Sequence, residues 1–307
     1  MRAVLKQMLG REGVVMVALA VFVGVATGYG AVGFRKLIGL FQVLFYEQGA
    51  GAFPEGIAWV GLVLAPMVGG LLVGLLVHYF AKEAKGHGVP EVMEAMTLRG
   101  GRIRPPVVLV KSLASSICIG SGGSAGREGP IVQIGSALGS SVGQFLKLSD
   151  RRVRNLVMCG AAAGIAATFN TPIAGVFFAL EVIAGEFSLR SFTPVVVASV
   201  LATVVGHHYL GTEPAFTVPA YALVDRWELV LYVILGVACA VVATVFIKTL
   251  HFTEVFFETK VRIPDPLKPV IGGFFVGVVG LLFPQILGVG YGAMDAVLLG
   301  QVSLGVL

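Results

Sequence analysis

The stretch from Gly120 to Pro130 reads GSGGSAGREGP, and it places an arginine and a glutamate in a glycine-rich break between two apolar segments. An ionisable side chain at membrane depth costs from about 2.5 to more than about 10 kcal/mol, so it usually marks an ion or substrate pathway. Glycine lets backbone N–H groups approach a ligand closely, and the helix that follows presents its positive dipole end to the same point. The break therefore predicts an anion site that contains one acidic side chain.

The composition is that of a membrane protein. Of the 307 residues, 56% are hydrophobic and 13% are charged, whereas an ordinary soluble domain has about 25% charged residues. The net charge of +5 does not indicate nucleic-acid binding, because the basic residues lie in short loops between apolar runs and report topology instead. The expected fold class is all-α, with several membrane-spanning helices and the N-terminal apolar run retained as the first of them.

The basic residues predict the orientation of the chain. A first helix from about Val14 to Tyr46 leads to a loop without lysine or arginine, and a second from about Ile57 to Phe80 leads to a strongly basic loop. The positive-inside rule places the first loop outside and the second inside. The next basic cluster, from Lys147 to Arg154, is also expected inside, so an even number of crossings or a re-entrant pair must join the two clusters.

The two apolar segments between those clusters are short for a bilayer. They run from about Pro106 to Ile119 and from about Ile131 to Phe145, and a span needs about 20 residues. The break between them therefore lies partway through the membrane, where irregular backbone is tolerated only if it is buried in protein or lines a cavity. A second break, FNTP at 169–172, divides the next pair of apolar segments, and the loop at 206–226 is expected outside.

An internal repeat relates the two ends of the chain. The pattern PxxGGxxVG at 66–74 recurs at 269–277, and GHGV at 86–89 recurs approximately as GVGY at 288–291. A Gly-Val-Ala triplet at 24–26 also recurs at 236–238, at an offset of 212. Three recurrences in the same order indicate duplication rather than chance.

The two copies are expected to have opposite orientations, because the first starts inside and the second follows the loop placed outside. Inverted repeats with broken helices that meet at the midplane are a transporter architecture. We expect a first transmembrane repeat over residues 1–210 and an incomplete second repeat over residues 228–307. The second is much the shorter, so the sequence is expected to be C-terminally incomplete.

The pentapeptide GHGVP at 86–90 is the first candidate site motif. It ends the basic inside loop and opens a short helix, with a proline at a first helical position and a glutamate in the first turn. The exposed amides of His87, Gly88 and Val89 are expected to point at whatever lies in front of this helix. An interfacial turn with a solvated histidine is the alternative.

The pair Arg127 and Glu128 gives the stronger signal, because both charges lie in the predicted membrane interior. We expect Glu128 to face the pathway, where its carboxylate can occupy an anion site formed by amides and leave when it is protonated. The alternative is a structural ion pair with Arg127, since buried charges usually pair. Lys111 is expected either to snorkel or to supply positive potential to the anion path.

Other functional classes lack a matching pattern in this sequence. The glycine-rich break has no GK[ST] ending and follows no predicted strand, which argues against a nucleotide loop. No catalytic or metal-ligating arrangement stands out, so we expect neither an enzyme nor a metal or cofactor. Cys118, Cys159 and Cys239 lie far apart inside apolar stretches and are interpreted as structural cysteines.

The runs GHGVPEVMEAM, GREGP, FNTPIAGVFFALE and the later PxxGGxxVG to GVGYG resemble the CLC family of chloride channels and chloride/proton antiporters. The resemblance covers about Val14 to Leu307. It implies an inverted-repeat fold of broken and re-entrant helices and a homodimer in the lipid of the cell (inner) membrane. It also implies that amides at 87–89 and at 127–129, including those of Arg127 and Gly129, bind chloride, and that Glu128 is the protonatable gate.

Three departures from the family pattern limit this transfer. His87 stands where the family commonly has a serine whose hydroxyl faces the central anion, so anion selectivity or pH response is expected to differ. Val182 stands where many antiporters carry a second glutamate, with Glu181 one position before it, and valine cannot relay a proton. The later GxFxP helix start and the pore tyrosine are expected beyond Leu307.

These considerations favour passive, Glu128-gated chloride permeation by the complete protein. Chloride/proton antiport is the alternative within transport, because residues other than Val182 could carry protons. A nonconducting fragment or a membrane scaffold is the alternative from a different class. Further apolar helices encoded downstream, including a GxFxP-like start, would favour transport.

Overall fold

A computed structural model describes residues 11–49, 51, 53–185, 189–216, 218–219, 223 and 225–302. This part of the chain is all-α, with eleven α-helices and no β-strand, which confirms the predicted fold class. The helices are α1 (Arg11–Gln42), α2 (Ala58–Phe80), α3 (Val89–Leu98), α4 (Pro106–Gly120), α5 (Glu128–Phe145), α6 (Asp150–Phe169), α7 (Pro172–Phe178), α8 (Leu189–Leu210), α9 (Glu228–Thr259), α10 (Lys268–Leu282) and α11 (Tyr291–Leu298). Helices α1 and α7 continue as π-helical turns over Val43–Gly49 and Ala179–Ala184.

Five segments of the described chain are long and apolar enough to cross a membrane, and they include the whole of α2 and α9. The others are Glu12–Gly49, Ser191–Leu210 and Asp265–Leu282. Helices α4 and α7 are apolar but shorter, because α4 ends at the glycine-rich break and α7 begins at the FNTP break. The protein is therefore a multi-pass membrane protein that combines full spans with broken helices.

The core lies where α5 packs on α6 through facing glycines. A Cβ added at Gly135 would lie 2.2 Å from the Gly160 carbonyl oxygen, and one added at Gly160 would lie 1.9 Å from the Gly135 oxygen. Any side chain at either position would force the two backbones apart. Ile131, Ile134 and Leu156 beside this contact are almost fully buried. This close packing fixes α5, and with it the glycine-rich break that precedes it.

The two PxxGGxxVG motifs pack against each other, one on α2 and the other on α10. A Cβ at Gly70 would lie 2.5 Å from the Pro269 carbonyl oxygen, and a Cβ at Gly273 would lie 2.3 Å from the Pro66 oxygen. The proline of each motif thus contacts a glycine of the other motif. The two helices therefore pack antiparallel and are related by a local two-fold axis. This is the geometry of inverted repeats.

The FNTP break ends α6 through a residue in the left-handed region. Asn170 has φ of 58°, and its side-chain amide donates a hydrogen bond to the Thr212 carbonyl at 2.7 Å. Its side-chain oxygen also contacts the His207 ring near the end of α8. The loop after α8 therefore holds the break, and α7 begins two residues later at Pro172.

Candidate anion pathway

The glycine-rich break turns the chain sharply between α4 and α5. Gly122 has φ of +99°, and a Cβ there would lie 1.9 Å from the Tyr46 hydroxyl oxygen. The Gly123 N–H donates to the Cys118 carbonyl at 2.8 Å, and the Tyr46 hydroxyl donates to the Ser121 carbonyl at 3.2 Å. Only glycine fits this approach, and the turn aims the start of α5 back into the protein.

Glu128 lies in the first turn of α5, which begins three residues earlier than the sequence predicted. Its Oε1 accepts a 2.7 Å hydrogen bond from the Tyr291 hydroxyl. Its Oε2 lies 2.0 Å from where a Cβ at Gly126 would be, so the carboxylate folds back over glycine backbone. A negative charge at this position is favoured by the helix dipole and competes with any anion that binds there.

Tyr291 was not among the residues that the sequence singled out. It begins α11 after Gly290, which is in the left-handed region, and it is 163 positions away from Glu128. Its ring centroid lies 5.0 Å from that of Phe216. The sequence feature that could have identified Tyr291 is the GVGYG run, which repeats GHGV, because equivalent motifs of inverted repeats meet at one site.

Arg127 is 8% exposed and stacks over aromatic rings. Its guanidinium carbon lies 4.4 Å from the Tyr291 ring centroid and 5.7 Å from that of Phe169. The ion pairs of the described residues do not include one between Arg127 and Glu128. The expected alternative of a structural ion pair is therefore wrong for this conformation, and cation–π contacts hold the charge instead.

The GHGVP loop differs from expectation at Gly88. Gly86 and Gly88 have φ of +99° and +103°, and the Gly88 N–H donates a 2.7 Å hydrogen bond to Glu91 Oε2. The expectation that all three amides at 87–89 are open to an anion is therefore wrong for Gly88, because a capping glutamate already occupies its amide. His87 is exposed and Val89 is partly buried.

The two glycine motifs touch backbone to backbone. A Cβ at Gly129 would lie 1.9 Å from the His87 carbonyl oxygen, and a Cβ at Gly88 would lie 2.5 Å from the Gly129 oxygen. The structure thus brings together the predicted residues on the two loops, although 40 positions separate the motifs. Glycine is required on both sides of this contact.

Lys111 does not snorkel, which corrects one of the two expectations for this residue. Its side chain is 3% exposed, and its ammonium donates hydrogen bonds to the carbonyl oxygens of Ala84 at 3.0 Å and Gly86 at 2.8 Å. The buried charge thereby holds the GHGVP loop in place. Lys111 also lines a cavity that Glu128 lines.

Two cavities adjoin along these residues. The gate cavity, of about 900 Å³, is lined by His87, Lys111 and Glu128, among others. The inner vestibule, of about 580 Å³, is lined by residues of the basic loops around α3 and by the end of α9. His87 lines both cavities, whereas Glu128 lines only the gate cavity.

The second repeat contributes backbone as well as Tyr291. The Ala125 N–H donates to the Gly288 carbonyl at 3.2 Å, and the Gly288 N–H donates to the Gly122 carbonyl at 3.3 Å. The glycine-rich break is therefore paired with the corresponding glycine run of the second repeat. Val182 is partly buried and Glu181 is exposed, and neither lines the two cavities.

Metal and disulfide chemistry has little support in the described ranges. No group of three or more His, Cys, Asp or Glu side chains among these residues could hold a metal ion. Cys118, Cys159 and Cys239 are free, and Cys159 is fully buried.

Paired broken helices that meet inside a bundle of membrane spans define a membrane channel or transporter. Residues 69–307 match the family described as "Voltage gated chloride channel", and the chain belongs to that family. This confirms the resemblance drawn from the sequence motifs.

Known relatives carry both channel and exchanger names. The chain is 31% identical over 289 residues to "Putative chloride channel protein ClcB-like" of Ralstonia nicotianae, which covers 92% of this chain and 67% of the relative. It is 33% identical to "H(+)/Cl(-) exchange transporter ClcA" of Vibrio parahaemolyticus, over 81% of this chain and 55% of that protein. It is also 30% identical to "Chloride channel protein CLC-f" of Arabidopsis thaliana, of which it spans 38%.

Solved structures share the fold. A slow cyanobacterial Cl⁻/H⁺ antiporter superposes with a TM-score of 0.78 at 24% identity, covering 92% of this chain and 67% of that one. A CLC-type fluoride/proton antiporter superposes with a TM-score of 0.77, covering 95% and 72%. At this identity, the likeness establishes an inverted-repeat fold of the same kind.

Proposed function

We propose that the protein lets chloride cross the membrane along a pathway gated by the Glu128 carboxylate. The observation that carries the proposal is the position of this carboxylate, which lines the gate cavity at the start of α5 and accepts a hydrogen bond from Tyr291. A carboxylate at a helix N-terminus occupies the place that the dipole and free amides offer to an anion. Family membership and the names of the relatives support chloride as that anion.

In this mechanism, protonation of Glu128 removes the competing negative charge. The neutral side chain no longer gains from the helix dipole, so chloride replaces it in front of α5. Arg127, Gly129, His87 and Val89 surround the chloride path in the proposal, and Lys111 supplies positive potential from its buried position. The Gly88 amide takes part only if Glu91 releases it.

Passive permeation is the leading form of the proposal, and Val182 is the observation in its favour. Aliphatic valine stands where the resemblance places a second proton-carrying glutamate, and the neighbouring Glu181 is exposed outside both cavities. Chloride/proton exchange is the second candidate, favoured by the exchanger name of the Vibrio relative. A nonconducting fragment or scaffold is the third, because the chain spans only part of its relatives.

The setting of the protein follows from the family resemblance. We place it in the cell (inner) membrane as a homodimer surrounded by lipid, with chloride as its small-molecule partner and no enzymatic activity or cofactor. We also propose that residues 1–210 form the first repeat and residues 228–307 the available part of the second. The reciprocal packing of α2 and α10 supports this division.

Glu128→Gln tests the gate directly. In proteoliposomes, wild-type chloride efflux is expected to rise as the pH falls, whereas Glu128→Gln is expected to give efflux that no longer depends on pH. Glu181→Gln is the matched control, since Glu181 is exposed and lies outside both cavities. An unchanged pH response in Glu128→Gln would overturn the gate role.

The reversal potential separates the two transport candidates. With equal chloride on both sides and a tenfold proton gradient, passive permeation predicts a reversal potential near zero. A reversal potential that follows the proton gradient would replace the passive form with exchange.

A further inference from the structure

His87 stands at the junction of the two cavities, and no step of the proposed gating uses its ability to bind a proton. It lines the inner vestibule together with Glu83 and Gln133, and it lines the gate cavity together with Glu128. Its carbonyl oxygen packs on Gly129, the residue after the gate. Histidine is the side chain whose charge ordinarily changes between about pH 5 and 8.

Several charged groups face His87 through these two cavities. In the inner vestibule, the acidic ones are Glu83, Glu91, Glu94, Glu254 and Glu258. The basic ones there are Lys82, Lys85, Arg99, Arg102 and Arg104. The gate cavity is also lined by Lys82 and Lys85, and its other charged or titratable groups are His78, Lys111, Glu128, Asp265 and Lys268. Groups of both signs therefore line the two cavities around the imidazole.

Two buried acceptor atoms mark a polar route beside His87. Gln133 is 2% exposed, and its Oε1 has no hydrogen-bond donor among the described residues, nor does Glu83 Oε2. Both residues line the inner vestibule, and the Gln133 amide donates to the Glu83 carbonyl at 3.1 Å. Unsatisfied acceptors in a polar cavity of this size are places for ordered water. Water there would reach His87 from the inner side.

We propose that His87 carries protons from the inner vestibule to the Glu128 carboxylate, so that the gate responds to the pH of the inner solution. A hydronium ion in the vestibule gives its proton to the neutral imidazole and becomes water. The imidazolium then gives a proton, directly or through one water of the gate cavity, to the Glu128 carboxylate. The products are a neutral imidazole and a neutral carboxylic acid. The proposal rests on Glu128 being the gate.

This assignment makes His87 the proton carrier, a role that Val182 cannot have because its side chain binds no proton. Val182 lines neither cavity, whereas His87 lines both, as do its neighbours Lys82, Lys85 and Gly86 and also Leu250. The relay needs no second glutamate. It operates in passive permeation, where it sets the open fraction, and equally in exchange.

The test is chloride current in excised inside-out membrane patches, where the solution on the inner face is changed and the outer pH is held constant. For wild type, lowering the inner pH from about 7.5 to about 5.5 is expected to raise the current severalfold, because more protons are then available to the inner vestibule. In His87→Gln and His87→Ser, the ratio of the two currents is expected to fall below about twofold. His78→Gln is the matched control, because His78 lines the gate cavity but not the inner vestibule.

Three results of this experiment would overturn the relay or the gate on which it depends. A ratio near the wild-type value in either His87 variant that conducts overturns the relay, since protons then reach Glu128 another way. If the ratio of the two currents also falls below about twofold in His78→Gln, the relay is overturned, because the effect would not be specific to His87. If Glu128→Gln keeps its response to the inner pH, Glu128 is not the gate, and the relay proposal, which depends on that gate, is overturned as well.

Discussion

At the scale of single residues, the bond between Tyr291 and Glu128 joins the two repeats at the proposed gate. The tyrosine hydroxyl donates to a carboxylate that is otherwise in contact with glycine backbone. Hydrogen bonds to charged groups contribute about 1.5–3 kcal/mol, so this bond favours the closed, ionised gate. Arg127 stacked on the same tyrosine ring reinforces that preference.

Tyr291→Phe is therefore expected to open the gate more easily. Without the hydroxyl, the pH at which chloride efflux is half-maximal should move upward by about one unit, which corresponds to about 1.4 kcal/mol. Tyr46→Phe is the control, because the Tyr46 hydroxyl donates to the Ser121 carbonyl in the same break. A half-maximal pH that stays fixed in Tyr291→Phe, or moves equally in both variants, would contradict this role.

The contact between Gly129 and His87 makes a prediction about stability. A methyl group at Gly129 would lie 1.9 Å from a carbonyl oxygen, so Gly129→Ala should lower the free energy of unfolding by about 1–3 kcal/mol or more. Gly236→Ala is the matched control, since nothing lies within 4 Å of its added Cβ and alanine favours a helix by about 0.5–1 kcal/mol. Unfolding in detergent measures both, and equal midpoints for Gly129→Ala and wild type would refute the contact.

At the scale of elements, sequence patterns located the broken helices but not the bonds that hold them. Glycine and proline predicted the ends of α4 and α6, because glycine permits backbone conformations outside the helix and proline cannot continue a helix. The position of Glu91 in the first turn of α3 was visible in the sequence, and a glutamate there is typical of a residue that caps the preceding backbone, as Glu91 does at Gly88. The hydrogen bonds from Lys111 to Ala84 and Gly86 could not be predicted, since they join segments that meet only in the folded protein.

The loop between α2 and α3 contains a carboxylate whose ionisation is linked to folding. The Arg104 guanidinium donates a 2.8 Å hydrogen bond to Glu83 and lowers the pKa of that carboxyl below its usual range. Because the pKa of Glu83 is lower in the folded state, the ionised carboxylate stabilises the folded protein at pH values above the unfolded-state pKa, about 4.3. This stabilisation is lost as the pH falls through the lower pKa of the folded state. The side chain is about a third exposed, so the contribution is screened.

Glu83→Gln should accordingly lower stability near neutral pH by less than about 1 kcal/mol. The difference from wild type should disappear in acid, once the wild-type carboxyl is protonated. Unfolding midpoints measured from about pH 7 to about pH 3 check this, with Glu94→Gln as control, because Glu94 lies in α3 and its side chain, which pairs with Arg99, is more exposed. A difference that persists unchanged in acid would contradict the linkage.

At the scale of the whole molecule, residues of the two proposed inverted repeats meet at the candidate site, an arrangement that the sequence indicated. The recurrence of PxxGGxxVG predicted equivalent helices, and α2 and α10 pack through those motifs. The pairing of Gly288 with the glycine-rich break is a consequence of the same symmetry. Helix α9 has no buried residue, whereas its counterpart α1 packs on α8 through Gly24 and Gly28.

The predicted orientation can be tested with single cysteines in a background without the three natural ones. A cysteine at Arg151 is expected to react with a membrane-impermeant thiol reagent only from the inside, because it lies in a basic cluster. A cysteine at Glu213 should react only from the outside. Labelling of both positions from the same face of intact and inverted vesicles would contradict the inverted arrangement.

The central claim is that the Glu128 carboxylate and the transported anion compete for one place at the start of α5. Crystals of Glu128→Gln grown in bromide measure this most directly, because the anomalous signal locates the anion. A bromide peak is expected beside Gly126 and the first turn of α5, at the position that the carboxylate oxygens occupy in the wild-type protein. A glutamine variant that binds bromide elsewhere in the pathway, with this position empty, would contradict it.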